Sequence, residues 1–184
     1  MKIILASGSP RRVELLRRIV ADFEIKISQI EEQIDFQKSA TENVERLATE
    51  KARAVFEPNS ITIGGDTLGE LEGKIFGKPK SKKEAVDFLK ELSGKKHLVV
   101  SGFCLKTNQE EIIGRAETWV EFNQIPKDAI EQYVRENSVE NFAAAYAIQD
   151  LPKNFVRKIE GELETVIGFP IKTIEEILKE KRFS

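Results

Sequence analysis

Apolar positions follow two periods along this chain, and the periods alternate. Lys2 to Ala6 is a short apolar run that Ser7-Gly8-Ser9-Pro10 interrupts. That order predicts a strand, then a helix with Ser9 as cap and Pro10 in its first position. Leu15, Leu16, Ile19 and Val20 fall on one face of the helix. Phe23, Ile25 and Ile27 alternate with polar residues, which reads as a strand. Ser39 or Thr41 opens a second helix that runs to about Phe56. Its apolar stripe is Val44, Leu47, Ala48, Ala52 and Val55. Ile61 to Ile63 predicts a strand ending at Gly64-Gly65-Asp66, followed by a hairpin that turns near Glu72-Gly73 and reaches Gly77-Lys78-Pro79.

The second half repeats the alternation. Ser81 and Glu84 form a capping box. The helix behind them carries Ala85, Phe88, Leu89 and Leu92, and Gly94 stops it. His97 to Lys106 and Glu111 to Phe122 predict two long strands joined near Thr107-Asn108-Gln109. Pro126 starts a helix to about Arg135, and Asn137 to Pro152 is irregular or partly helical. Phe155 to Ile159 and Glu164 to Ile167 read as strands, and Pro170 opens a charged C-terminal helix. No repeat, low-complexity tract or linker divides residues 1–184, so one domain is expected. The class is α/β: a mixed twisted sheet flanked by helices, because adjacent long strands exclude a purely parallel one.

Composition narrows the chemistry. Lys plus Arg is 29 and Asp plus Glu is 31, a net charge of −2, with 33% charged and 40% hydrophobic residues. That balance suits a globular core and lacks the positive surplus of a generic nucleic-acid binder. No apolar run reaches the ~20 residues of a membrane helix. A single cysteine, Cys104, and a single histidine, His97, exclude an intrachain disulfide, a cysteine metal cluster and a two-histidine zinc helix. A cytoplasmic location is expected. Catalysis must therefore rest on Asp, Glu, Lys, Arg and Ser.

Five places carry candidate chemistry, each with a plainer alternative. Ser7-Gly8-Ser9-Pro10-Arg11-Arg12 joins a strand to a helix start, whose free N–H groups and two arginines form a phosphate cradle. It also reads as an ordinary capped helix with solvated arginines. Asp66-Thr67 stands at the expected carboxyl end of a strand, where open α/β sheets bind ligands; a turn aspartate is the alternative. Lys51 lies four residues after Leu47 and seven after Val44, on the apolar stripe, so it either snorkels out or meets an anion. Lys78 sits in Gly77-Lys78-Pro79-Lys80 as a phosphate contact or a solvated loop lysine. Glu31-Glu32 offers oxygen ligands for Mg²⁺ or is simply solvated. His97 and Cys104 read as core residues, Trp119 as core or rim packing, and Glu175 to Arg182 as a solvated helix face.

In this order these segments resemble the Maf family. The resemblance rests on Leu5 to Arg12, Ile30-Glu31-Glu32, Glu50-Lys51-Ala52-Arg53-Ala54 and Gly65-Asp66-Thr67. Gly77-Lys78-Pro79, Leu92-Ser93-Gly94 with His97, Tyr146-Ala147-Ile148-Gln149, Phe155-Val156 and Val166 to Pro170 continue it. It implies an elongated fold like that of ITPases, with a cleft between two lobes. It also implies hydrolysis of a nucleoside triphosphate to monophosphate and pyrophosphate, a divalent cation (Mg²⁺ or Mn²⁺), and a possible homodimer. Membrane and nucleic acid are not implied as partners. Asp66 then matches the family's proton acceptor. Glu32, Lys51 and Lys78 match its acid, helix lysine and loop lysine, and Ser7 and Arg12 its substrate-binding pair. Glu32 and Asp66 are the implied metal ligands.

The resemblance also implies a substrate. The dTTP/UTP subgroup carries Arg, Thr and Gln where this chain has Arg11, Thr67 and Gln149; the 7-methyl-GTP subgroup carries Trp, Trp and Glu. The chain departs from the family's Lys-Ala-Gly-Ala-Tyr-Gly-Ile-Gln-Gly, reading Asn141-Phe142-Ala143-Ala144-Ala145-Tyr146-Ala147-Ile148-Gln149-Asp150. It also has Gly161-Glu162 for the usual Gly-Ser. Another nucleotide, such as CTP or 7-methyl-GTP, and a non-catalytic nucleotide sensor are the competing expectations. A DNA-binding regulator lacks a basic arm or recognition helix.

Overall fold

The computed structural model describes residues 1–181. Its strands are β1 (Lys2–Leu5), β2 (Glu24–Ile25), β3 (Ser60–Leu71), β4 (Lys74–Phe76), β5 (Lys96–Lys106), β6 (Glu111–Phe122) and β7 (Val156–Glu160). Its helices are α1 (Pro10–Arg17), α2 (Ala40–Ala54), α3 (Lys82–Leu92), α4 (Lys127–Glu136), α5 (Leu163–Ile167) and α6 (Ile171–Glu180). Short 3₁₀ turns occupy Val139–Asn141 and Ala143–Ala145. The strands form one mixed sheet in the order β2-β1-β3-β5-β6-β7, with β4 beside β3. Only the β1 pairings are parallel. No helix among the described residues is long and apolar enough to cross a membrane.

Local chemistry accounts for most boundaries. Ser39 and Glu42 close a reciprocal capping box at the start of α2, satisfying two free N–H groups. Ser81 accepts from the Glu84 N–H, but the Glu84 carboxylate turns to the Lys80 N–H, so the second box is half formed. Ser9 stands at the cap of α1 without a side-chain bond to it. The expected alternating strand around Phe23 shrinks to Glu24–Ile25. Ile25 and Ile27 are exposed there, so alternation marked no buried face. Glu164 to Ile167 is helical, not extended. Thr165 and Ile167 are both buried, and over five residues one helical turn and a strand bury the same pair. In α6, Glu176, Lys179 and Glu180 face solvent; Arg182 lies outside the described residues.

The largest departure is at Gly64-Gly65. The strand does not end there; β3 runs on to Leu71. A Cβ on Gly64 would lie 2.1 Å from the Ala48 carbonyl oxygen, and one on Gly102 2.7 Å from Val44 backbone. The two glycines thus let the α2 backbone rest directly on β3 and β5. Along one edge, β3 pairs with β1 over Ser60–Ile63 and with β4 over Gly69–Leu71. Its opposite edge pairs with β5 throughout Thr62–Glu70. Gly64 to Leu68 therefore lack a strand partner on the first edge, and a cleft opens at that gap.

Two apolar cores flank the gap. One joins Leu5, Leu15, Leu16, Ile61, Ile63, Phe103, Leu105 and Ile174. The other joins Leu71, Phe76, Leu89, Val99, Phe122, Tyr133 and Phe155. β3 and β5 contribute to both, so the long strands hold the expected two lobes in one sheet.

Candidate active site

The cleft has a volume of about 430 Å³, within the ~300–1,000 Å³ of small-molecule sites. Ser7, Arg11, Arg12, Glu32, Lys51, Asp66, Thr67, Lys78 and Gln149 all line it. Residues spread over most of the sequence therefore meet in one place.

At its centre lies a buried ion pair. The close approach of α2 to β3 brings Lys51, one turn beyond Leu47, over Asp66. Lys51 Nζ is 2.6 Å from Asp66 Oδ1 and 3.0 Å from Glu32 Oε1. Their side chains are 5%, 8% and 40% exposed respectively, so Lys51 and Asp66 are enclosed while Glu32 meets solvent. Lys51 meets anions rather than snorkelling, because its position on the apolar face leaves no short path to water. Lys78 Nζ stands 3.6 Å from Glu32 Oε2, exposed at the mouth. Burial pushes the Glu32 carboxyl up, but Lys51, Lys78 and Arg12 together hold it below the usual carboxylate range.

The helix start supplies the opposite wall. Arg12 Nη1 donates to Ser7 Oγ at 3.3 Å, Nη2 to Thr67 Oγ1 at 3.1 Å, and Nε to the Gly168 carbonyl at 2.8 Å. Arg11 Nε donates to the Ile167 carbonyl at 3.2 Å. Burial lowers the pKa of both guanidiniums, and Asp66 and Glu32 pull Arg12 back up. Both arginines thus orient on carbonyls at the end of α5, which the helical turn there presents.

Thr67 leads to a residue that sequence reading missed. Its hydroxyl lies 2.8 Å from Ser101 Oγ, and Ser101 donates to the Thr165 carbonyl at 2.7 Å. Ser101 has one proton and uses it on Thr165, so Thr67 is the donor of the pair whenever both bonds form. A polar side chain in the apolar run of β5 was the available signal. Phe142 was also missed: the Arg11 Cζ sits 4.3 Å from its ring centroid. Gln149 is exposed, on the turn that follows, and also lines the cleft. His97 and Cys104 are buried, and Trp119 is 43% exposed on a face of β6, where β5 and β7 pair on either side.

Two carboxylates converge on Lys51, and among the described residues no group of three or more His, Cys, Asp or Glu gathers to hold a metal. Glu32 and Asp66 are hard oxygen donors, suited to Mg²⁺ or Mn²⁺ if phosphate oxygens and water complete the shell.

Fold and cleft together define an α/β protein built around a small-molecule site rich in cations and carboxylates. The chain belongs to the Maf family: the family description "Maf-like protein" matches residues 2–181. It is 40% identical to the dTTP/UTP pyrophosphatase of Thermotoga maritima, covering 98% of this chain and 90% of that one. It is 40% identical to the dTTP/UTP pyrophosphatase of Pyrococcus abyssi over 96% and 95%, and 38% to that of Syntrophus aciditrophicus over 97% and 89%. The Ham1 protein of Staphylococcus aureus shares the fold, with a TM-score of 0.56 at 13% identity, over 98% of this chain and all of that one.

Proposed function

We propose that this chain hydrolyses dTTP and UTP to the monophosphate and pyrophosphate, a housecleaning reaction on the nucleotide pool. The observation that carries the reading is the enclosed Lys51–Asp66 pair at the gap in the sheet, with Arg12, Lys78 and Glu32 around it. A nucleoside triphosphate brings about four negative charges, which converging cations must offset before water can attack.

Ser7, Arg12, Lys51 and Lys78 hold the phosphate chain in this reading. Asp66 is the proton acceptor. Its Oδ1 accepts from Lys51, which leaves Oδ2 for a water. That water attacks the α-phosphorus, its proton passes to Asp66, and the bond from the α-phosphorus to the bridging oxygen breaks as pyrophosphate leaves. Glu32 and Asp66 would hold Mg²⁺ or Mn²⁺, which offsets phosphate charge when bound. Arg11, Thr67 and Gln149 read the base; an amide offers a donor and an acceptor together, as uracil and thymine require. β3 and β5 run through both cores, which supports one folding unit over residues 1–184. The substrate is the only partner this reading requires; a homodimer is compatible with it, and nucleic acid and membrane play no part.

The test is pyrophosphate release from dTTP, UTP, CTP and 7-methyl-GTP with Mg²⁺ and with Mn²⁺. dTTP and UTP are expected to react fastest. Preference for 7-methyl-GTP would overturn the substrate, and no release from any would favour a sensor. Asp66→Asn is expected to lower kcat by about 10²–10⁴-fold while nucleotide still binds, the usual contribution of a positioned base. Near-normal turnover would exclude Asp66 from that role.

A further inference from the structure

Neighbouring helix residues point about 100° apart, and Arg11 and Arg12 divide the cleft accordingly. Arg12 faces the carboxylate end, where Asp66 and Glu32 act on it. Arg11 faces the segment from Asn141 to Asp150: its ring neighbour is Phe142, and besides Arg12 the groups acting on its charge are Asp150 and Tyr133. No carboxylate pairs with Arg11 within salt-bridge distance among the described residues. A partly buried guanidinium with one N–H on the Ile167 carbonyl keeps its terminal N–H groups for something else. The Arg11 Cζ sits over the Phe142 ring, 4.3 Å from its centroid, so the cation is held by the ring and by its one N–H on the Ile167 carbonyl.

The backbone behind Phe142 is shaped to keep it there. Ala144 and Ala145 both have left-handed φ, 55° and 64°, a conformation that crowds the Cβ of an L-residue against its own backbone. The Ala144 N–H donates to the Gly77 carbonyl at 3.1 Å, and a Cβ on Gly69 would meet the Ala144 methyl at 2.9 Å. Both alanines are buried. The surrounding fold thus over-determines a strained turn that presents Phe142 to the cleft.

We propose that Phe142 is the positioning residue for base recognition, acting by stacking on Arg11 so that the free guanidinium edge meets the carbonyl oxygens of a pyrimidine base. This rests on the nucleotide pyrophosphatase reading above. Phe142 acts on the base end and not on the phosphates, which contact Arg12, Lys51 and Lys78.

The experiment compares wild type with Phe142→Ala, Phe142→Leu and Phe142→Tyr, and places Phe142→Ala in an Arg11→Ala background. KM and kcat for dTTP and UTP are measured, with inhibition by inorganic pyrophosphate as the base-free probe. Cation–π stacking of about 0.5–2 kcal/mol corresponds to a KM rise of about 2- to 30-fold. That rise is expected for Ala and Leu, with kcat within about twofold and pyrophosphate inhibition unchanged. Tyr, which keeps the ring, should behave as wild type. In the Arg11→Ala background Phe142→Ala should add nothing. Leu behaving as wild type would overturn the stacking role in favour of apolar bulk. Weakened pyrophosphate inhibition, or equal losses with and without Arg11, would overturn the proposal as well. A wild-type protein that releases no pyrophosphate overturns the underlying reading instead; a working wild type with an unaltered Phe142→Ala overturns this proposal alone.

Discussion

Replacing His97 by Gln should flatten the acid side of the stability profile. His97 is 0% exposed, with Nε2 2.8 Å from Tyr146 Oη and the rings of Phe122 and Tyr146 edge-on to it. Its Nδ1 has no hydrogen-bond partner among the described residues. Burial pushes its pKa from 6.5 down to about 4. The folded value lies below the unfolded one, so between these pH values the unfolded chain takes up the proton first. Stability is therefore full above pH 6.5, falls as pH drops toward 4, and falls no further from this group below that. At 1.36 kcal/mol per pH unit, the span is worth about 3 kcal/mol, a large share of the ~5–15 kcal/mol holding a domain together. Glu57, Glu111 and Glu160, held at about 2 by lysine and arginine partners, titrate mainly lower and are half-buried.

Glutamine keeps a group able to bond Tyr146 but carries no titrating proton. Urea unfolding at pH 7.5, 6.5, 5.5 and 4.5 reads the effect. The variant is expected to be about 1 kcal/mol less stable at pH 7.5, from imperfect replacement of one hydrogen bond. By pH 4.5 wild type should have lost about 2–3 kcal/mol more than the variant, so the order reverses. Parallel profiles would refute the burial argument. Turnover of His97→Gln at pH 8 should stay close to wild type, since no step in the proposed reaction uses the imidazole.

Two further substitutions test how the site is held. Gly64→Ala would set a methyl 2.1 Å from the Ala48 carbonyl oxygen, backbone against backbone, so a loss of about 3 kcal/mol or more is expected. The melting temperature should fall by about 6–12 °C; an unchanged melt would mean that α2 does not rest on β3 there. Ser101→Ala removes the donor to the Thr165 carbonyl and the acceptor for Thr67. It should cost about 1–2 kcal/mol in urea unfolding and raise KM a few-fold by loosening Arg12. Unchanged KM and unchanged pyrophosphate inhibition would show that Thr67 needs no such support.

Where the sequence reading succeeded, the signals were short-range. Pro10, the Ser39–Glu42 box, Glu72-Gly73 and Gly94 act within a few residues, so the element boundaries they mark were legible. Where it failed, the deciding contacts were distant. Gly64-Gly65 looks like a strand end, but Gly64 makes room for α2, Gly65 for Phe169 and Arg12, and the strand continues beneath them. Glu164 to Ile167 looks extended, but two arginines more than 150 residues away bind the carbonyls at its end. Ser101 is one serine in an apolar run; only its neighbours Thr67 and Thr165 show what its hydroxyl holds.

The sequence by itself determined the kind of chemistry open to this protein. One histidine and one cysteine leave carboxylates, lysines and arginines, and the order of Ser7-Arg12, Glu32, Lys51, Asp66-Thr67 and Lys78 names the family. The tertiary structure decided which of these groups meet. Lys51 on an apolar stripe is compatible with snorkelling or with an anion, because helix spacing gives direction but no partner. The choice falls to the anion because Gly64 and Gly102 bring α2 down onto the sheet. Lys51 is thereby enclosed with Asp66 at the one stretch of β3 that β1 and β4 leave unpaired.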